Sequence, residues 1–480
     1  MGLTKVTYSM IEGAAVNVLD YGADPTGTDD SLAAIQAAVD AATPYAEFAT
    51  DGIMVYLPPG VYKVSNSINM SQRQGVHLVG AGQKATEIRA TSNNPVIKYT
   101  GNVTTVTNAS GVRSMTIRGY DNAQTNSYGI KSSWTNSCNI QDLIIFGCYA
   151  GLYFEHVWQT NVSNVRMYGS TVDACTYGVY MAESGTPIDN AIIAHNINVQ
   201  NCLQTGFRII NGQGSKFVSC EAGGDPMVHA WHIGEPTTGT IRSQWIHFAN
   251  CLGDSTTSSV WLFRKGTASE LSQMQLSNCW AGNGQDGFYL DNVKQLLFNG
   301  CQSIGHAQSG FVVSSSEQVV INGCMFSGND EAGTSSYADI LIDSSTYNII
   351  SSNNCYTSML TDSLIEKNSS NYNNIHGNYF STGATLTGNK TIAFRNVGFL
   401  TETLSEATIL NGTTSITVTH GLGVTPQLAS INVTPRSGLG SASQFYISDV
   451  TSTTFKINVN TNPGTDISFC WNIALSTIWI

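Results

Sequence analysis

The sequence predicts an all-β protein: a right-handed parallel β-helix with a short N-terminal capping helix and a C-terminal antiparallel β-sandwich. The first observation is a phrase that recurs between about Asn136 and Phe380: a few apolar residues, a small or amide residue, then cysteine. It reads Ile144-Ile145-Phe146-Gly147-Cys148, Phe217-Val218-Ser219-Cys220, Ile246-His247-Phe248-Ala249-Asn250-Cys251 and Val320-Ile321-Asn322-Gly323-Cys324, and recurs at Cys202, Cys279, Cys301 and Cys355. The second is another alternating run shortly after most of these cysteines, as in Gly178-Val179-Tyr180-Met181 and Gly287-Phe288-Tyr289-Leu290. The third is the repeat length of roughly 18 to 31 residues, the range of solenoids. Alternation of apolar and polar residues is a strand signal. One coil cannot bury its apolar side alone, but a stack of coils about 4.8 Å apart shares a continuous core. Cysteine suits a small, buried turn position, and the asparagine or glycine before it tolerates the bend.

Composition agrees. The chain has 480 residues, 46 glycines and only 11% charged residues, as a long β-solenoid requires, while 11 prolines are too few for a linker-rich chain. A net charge of −12 argues against nucleic acid as partner. Eleven cysteines are an odd count in a large chain. Stacked in one register, their side chains point the same way, which is poor disulfide geometry, so reduced core thiols and folding in a reducing cytosol are expected. No CxxC pair suggests zinc. The N-terminus lacks a signal-peptide pattern, and no apolar run is long enough to cross a membrane.

In chain order, residues 1–13 form a short polar lead, expected to be a docking peptide. The β-helix is expected over 14–396. Asn17–Asp20 reads as a strand and Asp24–Gly27 as a turn. Asp29 and Asp30 precede an alanine-rich run, Leu32 to Ala42, and read as the cap of a helix over about 29–42. That helix would cover the first coil, whose core and strand edge are otherwise exposed. Gly52–Val64 reads as strand, tight turn, strand, followed by Val76–Gly82 and Glu87–Ala90. Residues 397–480 change character, with short strands at Ser415–Val418, Leu428–Val433, Gln444–Ile447, Thr454–Val459 and Ile467–Trp471, and read as the sandwich, serving trimerisation or carbohydrate binding.

The stretches NVLDYGADPTGTDDSLAAIQAA, VYLPPGVYKVS and LVGAGQKATEI resemble the pectate-lyase-like superfamily, and more narrowly the tailspike and depolymerase proteins of tailed bacteriophages; the lead KVTYSMIEGAAVNV is similar to the start of many of them. The resemblance covers about residues 1–100 by motif and 100–390 by coil pattern. It implies a homotrimer, attachment to a phage tail through the N-terminus, and action on bacterial capsule or O-antigen outside the cell. Departures limit it. The Asn-Thr-Asp, Gly-His-Gly and Arg-Ile-Lys of polygalacturonases are absent, the only Asp-Asp is the helix cap Asp29-Asp30, and the calcium-binding aspartates with catalytic arginine of pectate lyases are not found. No catalytic residue carries over.

The chemistry is therefore read from the residues. Glycoside hydrolysis needs two carboxyl groups, and on a β-helix neighbouring coils can supply them. Glu221 directly follows Cys220, Asp225 comes four residues later, the next coil offers Asp254 and the one after Asp286. We expect Glu221 and Asp254 as the catalytic pair with Asp225 assisting; Gly-Asp and Gln-Asp-Gly are also ordinary turn chemistry. Second-line acids are Glu155, Asp173, Glu183 and Asp189. Trp231, Trp245, Trp261 and Trp280 fall on the same coils, with His229, His232 and His247. Sugar faces stack on exposed indoles, so Trp231, Trp245, Trp280, Asp286 and His247 are expected to bind substrate, though part of the tryptophans belong in the core. No histidine spacing suggests a metal, and no cofactor is expected. Two rivals remain: a lyase using a Tyr, His, Arg or Lys base beside a uronate, and an adhesin that only binds.

Overall fold

The computed structural model describes residues 15–42, 53–169, 173–182, 189–235, 241–266, 269–331, 333, 336–357, 360–388, 390–400, 402–422 and 425–475. The expected docking peptide and Glu183 lie outside the described residues. The chain divides into two compact units, residues 1–297 with 301–307, and residues 298–300 with 308–480.

In the first unit the coil repeat is realised as three strand runs per turn, each paired in parallel with the same run of the next turn. One turn contains Lys216–Val218, Glu221–Gly223 and His229–Gly234; the next contains His247–Ala249, Leu252–Asp254 and Trp261–Arg264. We call these the first, second and third faces. The first and second meet at a bend where one residue per coil adopts a positive φ: Ser114, Asp142, Asn164, Asn196, Ser219, Asn250 and Asn278. At Ser219, Asn250 and Asn278 this is the residue before the cysteine of the sequence phrase, while on the earlier coils Met115, Leu143, Val165 and Ile197 follow it; asparagine recurs there because its short amide tolerates the left-handed region.

Next to that bend, the thiols of Cys220, Cys251 and Cys279 each donate to a main-chain carbonyl of the preceding coil, at 3.6, 3.3 and 3.6 Å. The cysteines form more than one lane, because Cys148 lies against Cys175 in a separate stack near the third face. All eleven cysteines are free, and ten of them are buried. The core behind the third face is aromatic. Phe207 stacks on Trp231 at 3.9 Å and Trp231 on Trp261 at 4.5 Å. Opposite them the second face presents Ala222, Gly253 and Ala281, small residues that make room for the indoles. A Cβ on Gly253 would fall 3.1 Å from the indole nitrogen of Trp261.

The N-terminal helix α1 spans Leu32–Ala41 and buries Ile35, Ala38 and Val39. It starts later than the sequence suggests. Ser31 is its N-cap residue, and Asp29 and Asp30 end a strand, Thr26–Asp30. Asp30 still accepts from Leu32 N (3.2 Å) and also fixes Ser65. Asp24 organises this loop by taking the backbone N–H groups of Thr26, Thr28 and Asp29, which holds its carboxyl far below the usual range. The strand expected at Asn17–Asp20 is only Val16–Asn17, followed by a single 3₁₀ turn.

In the second unit the same bend is occupied by Gly300, Gly323, Ser352, Gly377 and Arg395. Here the lane after the bend changes from thiol to amide. Cys324 is followed by Asn353, Asn378 and Asn396, since Met325 pairs with Asn354 and Asn354 with Tyr379. Cys355 is therefore two positions out of the lane to which its spacing assigns it. Asn353 donates to Ile321 O (2.9 Å), as the thiols do, and accepts from Cys324 N (2.8 Å), while Asn378 and Asn396 repeat the pattern. The last parallel strand is Ile392–Phe394. Two three-stranded antiparallel sheets then enclose a core that includes Ile409, Phe455, Phe469 and Trp471. Its first strand, Glu402–Ile409, has little apolar alternation and escapes the sequence reading; seven of its eight residues are not fully buried.

Candidate active site

The second face carries the site. Its outward positions repeat coil by coil, so Arg166, Asn198, Glu221, Leu252 and Trp280 follow one another in a single lane. Two residues further along the strands, Gln200, Gly223, Asp254 and Gly282 form the adjoining outward lane. Asn198 Nδ2 donates to Glu221 Oε2 at 3.0 Å and Gln200 Nε2 to Oε1 at 3.2 Å. Amide donors on both oxygens fix the orientation of the carboxylate. Asp254 accepts from Asn283 Nδ2 at 2.9 Å.

Glu221 pairs with Leu252, and Asp254 lies opposite Gly223. The two acids therefore lie on a diagonal, one coil down and two residues along, which separates their Cα atoms by about 8 Å. Trp280 lies beside them. A Cβ on Gly282 would fall 2.5 Å from Trp280 Cη2 and 3.2 Å from Asp254 Oδ1, so the indole passes over Gly282 next to the carboxylate. Glycine is needed there for space. The backbone under the site is held from within: Trp231 Nε1 donates to Leu252 O (2.9 Å) and Trp261 Nε1 to Trp280 O (3.1 Å).

Upstream, the same lane opens into a cleft of about 380 Å³ lined by Gln83, Asp142, Asn164, Arg166, Asn196 and Asn198 among others. The bend makes it concave. Asn196 donates to Asn164 (2.8 Å) and Asn164 to Asp142 (3.1 Å), an outward amide ladder along the bend. The cleft thus combines an exposed arginine with amides and ends one coil from Glu221.

Other sequence candidates lie elsewhere. Asp225 is exposed in the turn after the Glu221 strand. Trp231 is wholly buried between Phe207 and Trp261, so it cannot offer a face to sugar; it supports the site strand instead. Asp286 is also interior, 4% exposed, and accepts from Ser259 Oγ at 3.3 Å. Its gap from Cys279 points to an outward position, but the coil has turned inward by then. Trp245 is 51% exposed, but it sits with His247 on the first face, across the bend from Glu221. Asp173 pairs with Arg118 at 2.8 Å. Asp189 is buried, accepts from Val157 N at 2.7 Å, and desolvation pushes its carboxyl up to about 8. Glu155 accepts from Ser133 on the third face.

The second alternating run of the repeat forms the third face, and its outward tyrosines are not among the sequence candidates for the site. Tyr128, Tyr149, Tyr153, Tyr177 and Tyr180 form a continuous ring cluster, with neighbouring centroids 4.5 to 6.2 Å apart. Burial pushes the hydroxyls of Tyr128 and Tyr149 up to about 12, so they are neutral donors at ordinary pH. Below them Arg208, His232, Glu235 and Arg264 make a network. Burial holds His232 down at about 4, so its imidazole is neutral beside Glu235, 3.1 Å away. Among the described residues no group of three His, Cys, Asp or Glu is arranged to hold a metal ion.

Residues 15–116 match the family described as Rhamnogalacturonase A/epimerase, pectate lyase-like. The matched stretch contains the motifs quoted above. Mannuronan C5-epimerase AlgE2 of Azotobacter vinelandii is 45% identical over 78 residues, which are 15% of this chain and 7% of that protein. The chain therefore spans only a small part of that relative. Among solved structures, the A-module of mannuronan C-5 epimerase AlgE6 of A. vinelandii aligns with TM-score 0.57 and 18% identity over 79% of this chain and 98% of that one. The tailspike gp61 of Pseudomonas phage phi297 aligns with TM-score 0.60 and 11% identity over 97% and 99%. These likenesses establish the right-handed parallel β-helix as the fold.

Proposed function

We propose that this protein binds a bacterial surface polysaccharide, capsule or O-antigen, and cleaves it by glycosidic hydrolysis at Glu221 and Asp254, acting as a homotrimeric spike on a phage tail. The observation that carries the reading is the diagonal of two outward carboxylates with the Trp280 indole laid beside the second. Their Cα atoms stand about 8 Å apart on neighbouring coils, and an inverting glycosidase, whose carboxyl groups lie roughly 6.5–9.5 Å apart, keeps room for a water between base and sugar. Glu221, held in place by two amides, acts as the base that activates this water. Asp254 protonates the leaving oxygen, and Trp280 supports the sugar ring. The phage tailspike fold and the polysaccharide-modifying relatives agree with a carbohydrate-active protein.

A second reading is favoured by Arg166. It stands exposed two coils above Glu221 in the same lane, with Asn198 between them. Those two side chains could hold a uronate carboxylate while Glu221 removes the neighbouring carbon-bound proton, giving β-elimination. One digest of host polysaccharide separates the readings. Hydrolysis gives reducing ends, inverted at the anomeric carbon, without ultraviolet absorbance; elimination adds the absorbance of an unsaturated uronate. Binding without either product would leave an adhesin.

A further inference from the structure

We propose that the first face of the first unit is the surface on which copies of this chain meet, side by side and with their coils stacked in the same direction. The inference takes up the homotrimer of the proposed function and does not depend on the chemistry at Glu221. Parallel pairing defines two outward lanes on this face, each nine coils long, one from Met54 to Gln275 and the other from Tyr56 to Ser277. Neither lane contains an aspartate or glutamate, and Arg113 and Lys216 are the only arginine and lysine in them. The adjoining lane towards the third face, with Asn136, Trp158, Asn190, Gln213 and Gln244, carries no charge. The bend towards the second face adds one acid, Asp142, which accepts from Asn164 at 3.1 Å. Over the same coils the second face carries Glu87, Arg89, Arg118, Arg166, Glu221 and Asp254.

The symmetry of such an assembly accounts for the missing charge. Around an axis parallel to the coil stack, each coil of one copy faces the same coil of the next. A charge on the apposed surface is then brought up against its own equivalent, and like charges in a water-poor contact repel. Amides escape this, because each both donates and accepts and can pair with its own copy. A partner of another kind sets no such condition and would permit charges of one sign. Two apolar side chains stand out on the face, Ile193 (47% exposed) and Trp245 (51% exposed). They lie about 12 Å apart among polar neighbours, as anchors of an interface do. Both copies have the same coil spacing of about 4.8 Å, so a contact made on one coil recurs on the next. Nine coils span about 38 Å, and the stretch from Asn190 to Asn196 crosses the face in roughly 20 Å. That plan of about 760 Å² is close to the roughly 800 Å² that each partner gives to a stable interface.

The test is the molecular mass of the full chain by light scattering over a dilution series. Asn161 is exposed in the middle of the first lane, between Asn139 and Ile193, so a new charge there finds no opposite charge beside it on the lane. Asn161→Glu and Asn161→Lys should each raise the concentration of half-dissociation about tenfold. Co-expression of the two variant chains should restore assembly, because opposite charges then meet across the contact; that restoration also shows that each variant folds. Trp245→Glu should dissociate the assembly most strongly. Tyr120→Glu is the control: Tyr120 is 51% exposed but lies beyond the second face, after the strand Gly111–Arg118, and its variant should keep the wild-type mass. If the wild type assembles and the Asn161 and Trp245 variants assemble equally well, the inference falls and the homotrimer stands. A monomeric wild type removes both. If the Asn161 variants dissociate and the mixture does not reassemble, like coils do not face one another and the proposed packing is wrong.

Discussion

The second and third faces of the first unit are built from the same backbone and do opposite things with it. On the second face the inward side is small, Ala222, Gly253 and Ala281, and the outward side carries carboxylates held by amides. On the third face the inward side holds the large aromatics Phe207, Trp231 and Trp261, and the outward side carries phenols with both cations and acids, Glu155 and Glu235 among them. The two are complementary, because the indoles fill what the small residues leave and donate their N–H groups to the carbonyls beneath the acids. The lesson is that the acid lane is kept straight by residues of the opposite face, so site and core cannot be varied independently.

The comparison can be broken most severely at Glu221. If the second face is catalytic, Glu221→Gln removes a base and should lower product formation by about 10²–10⁴-fold with the melting temperature unchanged. Reducing-end assays read this directly. Next in size is the buttress. Trp231→Ala opens the core and should destabilise the unit by about 3–5 kcal/mol in denaturant melts. Trp231→Phe, which keeps most of the volume but loses the bond to Leu252 O, should cost less stability yet still disturb the position of Asp254 and reduce turnover.

Gly282→Ala should act more gently. The new methyl displaces the Trp280 ring and crowds Asp254 Oδ1, so we expect KM for long glycans to rise about tenfold and kcat to fall by a smaller factor. The smallest effect concerns Asp189, buried behind the third face. Its folded carboxyl titrates near 8, above the unfolded value, so the folded state retains a proton that the unfolded state has lost. Stability from this group is therefore full below pH of about 4 and falls as pH rises towards about 8. Asp189→Asn should flatten that decline, raising the melting temperature at pH 8 and leaving it unchanged near pH 4.

Much of this architecture is legible in the chain because the bend must be made on every coil. A residue able to adopt positive φ followed by a small buried one leaves a visible mark, and Glu221 is found because it stands next to that mark. The tyrosine face leaves a fainter mark: Tyr153, Tyr180 and Arg208 each stand two residues after the glycine of the second alternating run, but that run carries no candidate acid pair. Lys131, Tyr153, Tyr180, Arg208 and His232 are 22, 27, 28 and 24 positions apart, and the pairing register is what adds Lys131 and His232 to the lane. Trp231 and Trp280 look alike in sequence, yet one is interior and the other at the surface, since a strand of three to six residues reverses facing with each step. Cys355 misleads for a related reason: the lane passes to asparagine, and a cysteine nearby is taken for its continuation.

The burial of ten thiols, with Cys470 alone exposed, gives this molecule a chemical record of its own opening. An alkylating reagent applied to the intact protein should mark a single position. Under mild denaturant the remaining sulfurs become available coil by coil, in the order in which the coils separate. Peptide mass mapping of partly alkylated chains would then show whether the solenoid peels from one end or parts in the middle, without any introduced probe.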